Sequence, residues 1–210
     1  MANQDAAFGL RPIKRIGATP FTGGQNRYRI AANYGTSIFQ GDMVAQVTGG
    51  GVERHADGGT VPIVGVFNGC KYTDPTSGEQ VFSNFYPAST NASDIIAFII
   101  DDPMAVFEIQ ANAAFPIADL LGNFDIVYTS AGSTKSGISG SELDVATGAT
   151  TAGLPLKVID ISEDPENDDV SSANTNVYCV IQNHVFGVKA AGLASVSYTH
   201  LTLPTSSRGY

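Results

Sequence analysis

The sequence has no tryptophan, only two cysteines, and charged side chains at just 15 % of its 210 residues. Each scarcity narrows the field. Cys70 and Cys179 lie far apart and form no CxxC pair, so no clustered-thiolate metal or redox motif is written here. Two buried thiols in a reducing compartment are expected, with a long-range disulfide as the alternative. No apolar run approaches the roughly 18 residues that cross a bilayer. The opening MANQDAAFGLRPIKR has no basic-then-apolar layout, so neither an export signal nor membrane association is expected, and synthesis in a cytoplasm is. The glycine runs at 23–24, 49–51 and 58–59 lack the Lys-Ser/Thr of a phosphate loop and read as turns.

What is abundant is turn chemistry. With 23 Gly and 10 Pro, short segments of alternating polarity are punctuated about every ten residues. The segment SIFQGDMVAQV alternates through Ile38, Met43, Ala45 and Val47, with Gly41-Asp42 as a structural turn or bulge, and TGGG (48–51) is a hairpin tip. TVPIVGVFNGCKY (60–72) is apolar on both faces, as a central strand would be, with Gly65 where a close backbone is tolerated. DIIAFIID (94–101) reads as a buried strand. AVFEIQAN (105–112) places Val106, Glu108 and Gln110 on one face and Phe107 and Ile109 on the other. PIADLLG (116–122) predicts a short helix, Pro116 opening it and Gly122 capping it. A Ser/Gly-rich surface loop over 130–141 and strands in LPLKVIDI and NVYCVIQNH follow. The fold class is all-β: a barrel or sandwich of short antiparallel strands with a short helical insertion and an extended N-terminal arm.

Four segments result: an extended basic arm (1–26), a β-rich body (27–188), a tail (189–195) and a terminal stretch (196–210). That last stretch opens VSYTHLTLPT, which resembles the translation of a transposon-end sequencing adapter, so it is set aside as an artefact of environmental DNA assembly. Charge follows the division. Residues 1–29 hold five bases and one acid, +4, and the remainder six bases and nineteen acids, −13. A basic arm on an acidic body suits a partner surface; without an aromatic ladder beside it, it argues against nucleic acid.

Candidate chemistry reads as structure throughout. SEDPENDD groups Glu163, Asp164, Glu166, Asp168 and Asp169, but without the glycine of a calcium loop it is a solvated loop. Asp101 and Asp102 are sequence neighbours, which a strand sends to opposite faces, so they do not form a carboxylate pair on one substrate. His55 and His184 have no G-x-S-x-G elbow to serve. No catalytic, cofactor or metal residues are assigned. The partner-binding candidates are the arm's apolar anchors Phe8, Leu10 and Ile13 and its bases Arg11, Lys14 and Arg15.

The segments MANQDAAFGLRPI, IFQGDMVAQVTGGGVERHADGGTVPIVGVFNGCKYTD and LKVIDI…NVYCVIQNH resemble small virion proteins of marine tailed phages. The middle segment is similar to the head-decoration, or capsid-cement, class, in which a G-D-x-V strand precedes a glycine turn and a GV strand; here these are Gly41, Asp42, Val44, Gly65 and Val66. The resemblance implies a β-barrel-like body, a homo-oligomer such as a trimer, and binding through a flexible N-terminal segment to the major capsid protein, hence a place in the virion and no enzymatic activity. Three other readings stay open: a minor head or tail-associated protein, a glycan-binding β-module using Tyr72 and Tyr86, and a hydrolase built on Asp101 or Asp102 with His184.

Overall fold

The computed structural model describes residues 3–17, 19–165, 167 and 169–187. The adapter-like ending and the tail therefore lie outside the described residues, as do Glu166 and Asp168. Among the described residues the chain forms fifteen strands and one helical turn. The arm contributes β1 (Arg11–Arg15) and β2 (Thr19–Pro20), and β3 (Asn26–Arg29) follows. Next come β4 (Ile38–Phe39), β5 (Met43–Val47), β6 (Gly51–Arg54), the long β7 (Ile63–Thr73), β8 (Gln80–Ser83) and β9 (Phe85–Tyr86). The second half holds β10 (Ile96–Ile100), β11 (Ala105–Gln110), β12 (Asn123–Tyr128), β13 (Ser141–Ala149), β14 (Leu156–Ile161) and β15 (Asn176–Ile181).

These strands build two antiparallel sheets packed as a sandwich. The first runs β13-β12-β14-β15-β11-β1-β2, and the second runs β3-β10-β7-β5-β6 with β8 also on β7; β4 and β9 form a separate pair. Of the two expected architectures the sandwich is the one present. The first sheet curls until Ala111 bridges Leu143, but it does not close into a barrel.

Two apolar clusters explain the sequence pattern. The first lies between the sheets: Phe107, Ile109, Phe124, Ile126, Leu156, Val158, Val177 and Cys179 meet Met43, Ile63, Val66 and Ile100 of the second sheet. The second fills the other side of the second sheet, where Val44, Val64, Phe67, Cys70, Ala97 and Ile99 pack with Ile38, Tyr86 and Ile95 under the β4–β9 cover. From Ile63 to Phe67 strand β7 is thus covered on both faces, which is why it reads as a continuous apolar run there. At Gly65 a Cβ would lie 2.2 Å from the Ile100 carbonyl oxygen, so β7 and β10 pack backbone to backbone there. Burying each large side chain of these clusters contributes roughly 1.5–3 kcal/mol.

Three local expectations differ from what is found. The helix over 116–122 is one 3-10 turn, Ile117–Asp119, which Leu120 leaves at ψ 141° and Leu121 follows at φ 65°. None of its residues is buried, so a longer helix would have no face to pack. Gly122 is needed for room against Phe124, where a Cβ would stand 3.0 Å from the ring. The Ser/Gly-rich segment is not simply surface loop: Gly137, Ser139 and Gly140 are buried. Strand β13, in SELDVATGA, is a further element beyond those read from the sequence.

Candidate partner-binding site

The arm lies against the body as a strand. Strand β1 pairs antiparallel with β11, Arg11 opposite Glu108 and Arg15 opposite Ala105, and a bulge at Ile13 interrupts the register. The arm is extended yet docked on the body, and the reason is what β11 presents. Val106, Glu108 and Gln110 point away from the inter-sheet core, yet all three are buried, because the arm and the loop after β14 cover them. Gln110 acts as a backbone surrogate: its Oε1 accepts from the Ala6 N–H at 2.9 Å and its Nε2 donates to the Gln4 carbonyl at 2.9 Å. Glu108 pairs with Arg11 and accepts from the Ser162 hydroxyl at 2.8 Å. Asn3 donates to the Asp169 carbonyl at 2.9 Å.

The arm candidates therefore divide. Leu10 is inside the first cluster, its N–H donating to the Gly41 carbonyl at 2.9 Å. Phe8 is half-buried with the Arg11 guanidinium 4.7 Å from its ring centre. Arg15 is tied to Asp102, Nε to Oδ2 at 2.5 Å. Ile13 and Lys14 face outward, Lys14 with its ammonium 5.3 Å from the Tyr178 ring centre. Ile16, absent from the sequence-derived set, is 46 % exposed beside Met104 at 43 %, and its N–H donates to the Met104 carbonyl.

Below the arm, Gly9 crosses Gly41 so closely that a Cβ on Gly9 would stand 2.7 Å from the Gly41 carbonyl oxygen. Gly41 takes φ +97°, and Asp42 beside it is fully buried. The Asp42 carboxylate accepts from the Phe39 N–H at 2.8 Å and from the Ser139 hydroxyl. Burial outweighs these bonds and pushes its pKa up to about 6.

Asp101 and Asp102 sit where the chain passes from β10 in one sheet to β11 in the other. Asp101 accepts from Asn26 at 2.9 Å and from the Tyr28 hydroxyl at 2.6 Å, both on β3. Burial, helped by that hydrogen bond, raises the Tyr28 pKa. Asp102 turns instead to Arg15 and to the Met104 N–H, at 2.9 Å. A groove of about 570 Å³ beside them is lined by Arg15, Thr19, Thr22, Asn26 and both aspartates, and His184 does not line it. His184 is buried, with Nδ1 accepting from the Phe186 N–H at 3.0 Å. Burial lowers its pKa although Asp101 and Asp102 both pull the other way.

The remaining candidates are dispersed. His55 is buried and its pKa is brought down to about 4 by that burial. Cys70 and Cys179 are both free and buried, one in each apolar cluster, so the disulfide alternative is not realised. Burial pushes the Cys70 thiol up to about 12 and raises that of Cys179 as well. Tyr72 and Tyr86 belong to the second cluster and offer no exposed platform for a sugar ring. In the acidic loop Glu163 and Asp164 are exposed, whereas Asp169 accepts from the hydroxyls of Ser171 and Ser172 at 2.6 and 2.7 Å, which brings its pKa down to about 2. Among the described residues no three His, Cys, Asp or Glu side chains are grouped to hold a metal ion, and no helix is long and apolar enough to cross a membrane. Neither a protein-family model, nor a curated protein, nor a solved structure matches this chain.

Proposed function

We propose that this chain is a non-enzymatic structural protein of a tailed-phage virion, which binds the outside of an assembled capsid lattice and stabilises it. Its partners are the major capsid protein and further copies of itself. The observation that carries this reading is the margin of the first sheet. Among the described residues strand β1 is paired outward only at Lys14 and Arg15, by the two-residue β2, so Arg11 to Ile13 leave an edge, and Ile13, Lys14 and Ile16 are exposed along this margin. A neighbour's extended segment can add main-chain hydrogen bonds to such an edge, while apolar and basic side chains set its register. Pro12, which has no N–H, limits indiscriminate pairing. Repetition over a shell turns a modest contact into avid cohesion. The groups a hydrolase would need support the reading from the other side: Asp101 and Asp102 are engaged by Asn26, Tyr28 and Arg15, and His55 and His184 are buried outside the groove that the two aspartates line.

The test leaves the docked residues alone. Ile13→Asp with Lys14→Glu and Ile16→Asp changes the exposed side only, whereas deleting the arm would also uncover Glu108 and Gln110. Co-sedimentation with empty capsids is expected to be lost in the triple variant, and undiminished binding rules the arm out. Proteomics of purified virions provides the second measure. About one copy per capsid subunit agrees with decoration, and a handful per particle points to a connector or tail position.

A further inference from the structure

Strand β10 has one side that outruns its cover. Ala97 and Ile99 belong to the second apolar cluster, so Ile96, Phe98 and Ile100 project the other way. Ile100 and its β7 neighbour Val66 are packed in the inter-sheet core. Toward Ile96 the same side emerges from beneath the first sheet. There one cross-strand row reads Arg29, Ile96, Lys71, Phe82 over β3, β10, β7 and β8, and the next reads Arg27, Phe98, Gly69. Residues opposite one another in antiparallel pairs share a face. Phe82 is 67 % exposed, Arg27 and Arg29 are exposed, and Lys71, Ile96 and Phe98 are half-buried. Three apolar and three cationic side chains thus share a face four strands wide, on a chain of net charge −9. A carboxylate borders it: Asp94, bound to Thr73 at 2.6 Å, lies close enough to Lys71 to interact electrostatically.

The same chain carries a complement. Glu163 and Asp164, with Pro165, are exposed at the start of the acidic loop. Asn167 braces that loop by donating to the Ser162 carbonyl at 2.8 Å and the Asn176 carbonyl at 2.9 Å. Through the Ser162–Glu108 bond the loop sits on the side of the first sheet turned away from the second, so a chain cannot bring its own loop to its own basic face. The geometry points to a head-to-tail contact between copies, in which Glu163 and Asp164 of one chain dock on Arg27, Arg29 and Lys71 of the next while Phe82 and Phe98 anchor the contact. Aromatic and arginine side chains are the ones enriched in the cores of protein interfaces. A polyanion such as single-stranded nucleic acid would meet long-range repulsion from the rest of the chain. Because the two surfaces differ, the contact is heterologous and propagates into a ring or an open chain of subunits. The inference deepens the self-association in the reading above and needs no capsid.

Sedimentation of the purified 210-residue chain tests it, using wild type, Arg27→Glu with Arg29→Glu, and Glu163→Lys with Asp164→Lys. Wild type is expected to associate, and to weaken at least about tenfold in Kd between about 50 mM and about 500 mM salt. Each charge-reversed variant alone is expected to be monomeric while still unfolding in one cooperative thermal transition, which separates loss of the contact from loss of the fold. Mixing the variants sets the native acidic loop of the first against the native basic face of the second, and the lysines of the second against the glutamates of the first, and is expected to restore association between unlike variants only. A wild type that stays monomeric at low salt overturns the proposal, as does association that both variants retain, or a mixture that stays monomeric. Binding of an oligodeoxythymidine to the Arg27/Arg29 face would equally overturn it, by assigning that face another occupant. A wild-type chain that associates with itself yet fails to co-sediment with empty capsids would sink the capsid reading and leave this inference standing.

Discussion

Arg11 and Glu108 meet across the β1–β11 pair, and Ser162 holds the second oxygen of the same carboxylate. One buried acid thereby joins the arm, the first sheet and the acidic loop. The Arg11 side chain is 60 % exposed, so solvent screens the ion pair and its charge contributes little. Satisfying a buried carboxylate is the larger effect.

Gln110 is the cleaner handle on arm docking. Gln110→Ala removes both bonds to the arm backbone and is expected to cost about 1–3 kcal/mol, with amide exchange near Ala6 rising about tenfold or more. If exchange at Ala6 is unchanged while stability falls, the arm is held by something other than this side chain.

Acid response is expected to contain two opposed contributions. Asp42 has a folded pKa of about 6 against an ordinary 3.8, so the native state holds its proton more tightly, and stability falls as pH rises from about 4 to about 6. His55 has a folded pKa of about 4 against 6.5, so over about 4 to 6.5 the unfolded chain binds its proton more readily, and stability rises with pH. The two offset one another. Asp42→Asn should therefore steepen acid destabilisation, seen as a Tm that drops faster than wild type between about pH 6 and pH 4. A parallel pH profile would show that Asp42 does not titrate there.

Gly65→Ala is expected to be among the most damaging single changes in the chain. Its Cβ would collide with the Ile100 carbonyl, and neither backbone can yield without parting β7 from β10. Loss of more than about 3 kcal/mol, or failure to fold, is expected. Gly24→Ala is the control, since nothing lies within 4 Å of its Cβ position. Denaturation midpoints compare the two, and equal effects would place β7 and β10 wrongly.

Both thiols should be silent in the folded protein. Burial raises the pKa of Cys70 and of Cys179, so little thiolate forms at neutral pH, and an alkylating reagent should modify them only as fast as the chain unfolds. Rapid labelling of either one under native conditions would mean that its cluster opens locally.

Much of the sandwich was legible because its strands obey a period of two between glycine turns. Strand β7 announced its two covered faces by its apolar run, and β11 its two sides by alternation. The fate of β11's polar side was not legible. Alternation put Glu108 and Gln110 on one face with Val106 but not what covers it: their partners lie about a hundred residues away in the arm, and no local pattern marks a partner so distant in sequence. Strand β13 was hidden for a different reason: SELDVATGA is rich in small and polar residues, and it gives the inter-sheet core Leu143, with Val145 half-buried against it. The 116–122 segment carried helix-end signals without a surface for the helix to cover. At the arm, the residue types suited attachment, but the side on which each would point depended on the bulge at Ile13, which composition does not reveal.

The antiparallel lie of β1 along β11 also sets how the molecule bears load. A pull on the N-terminus along the strand axis strains the hydrogen bonds from Arg11 to Arg15 together, in shear, instead of opening them one after another as a zipper would. The Arg15–Asp102 tie at the far end of that strand passes the force to the crossing point between the two sheets. A tether anchored in this way yields only when several bonds fail at once.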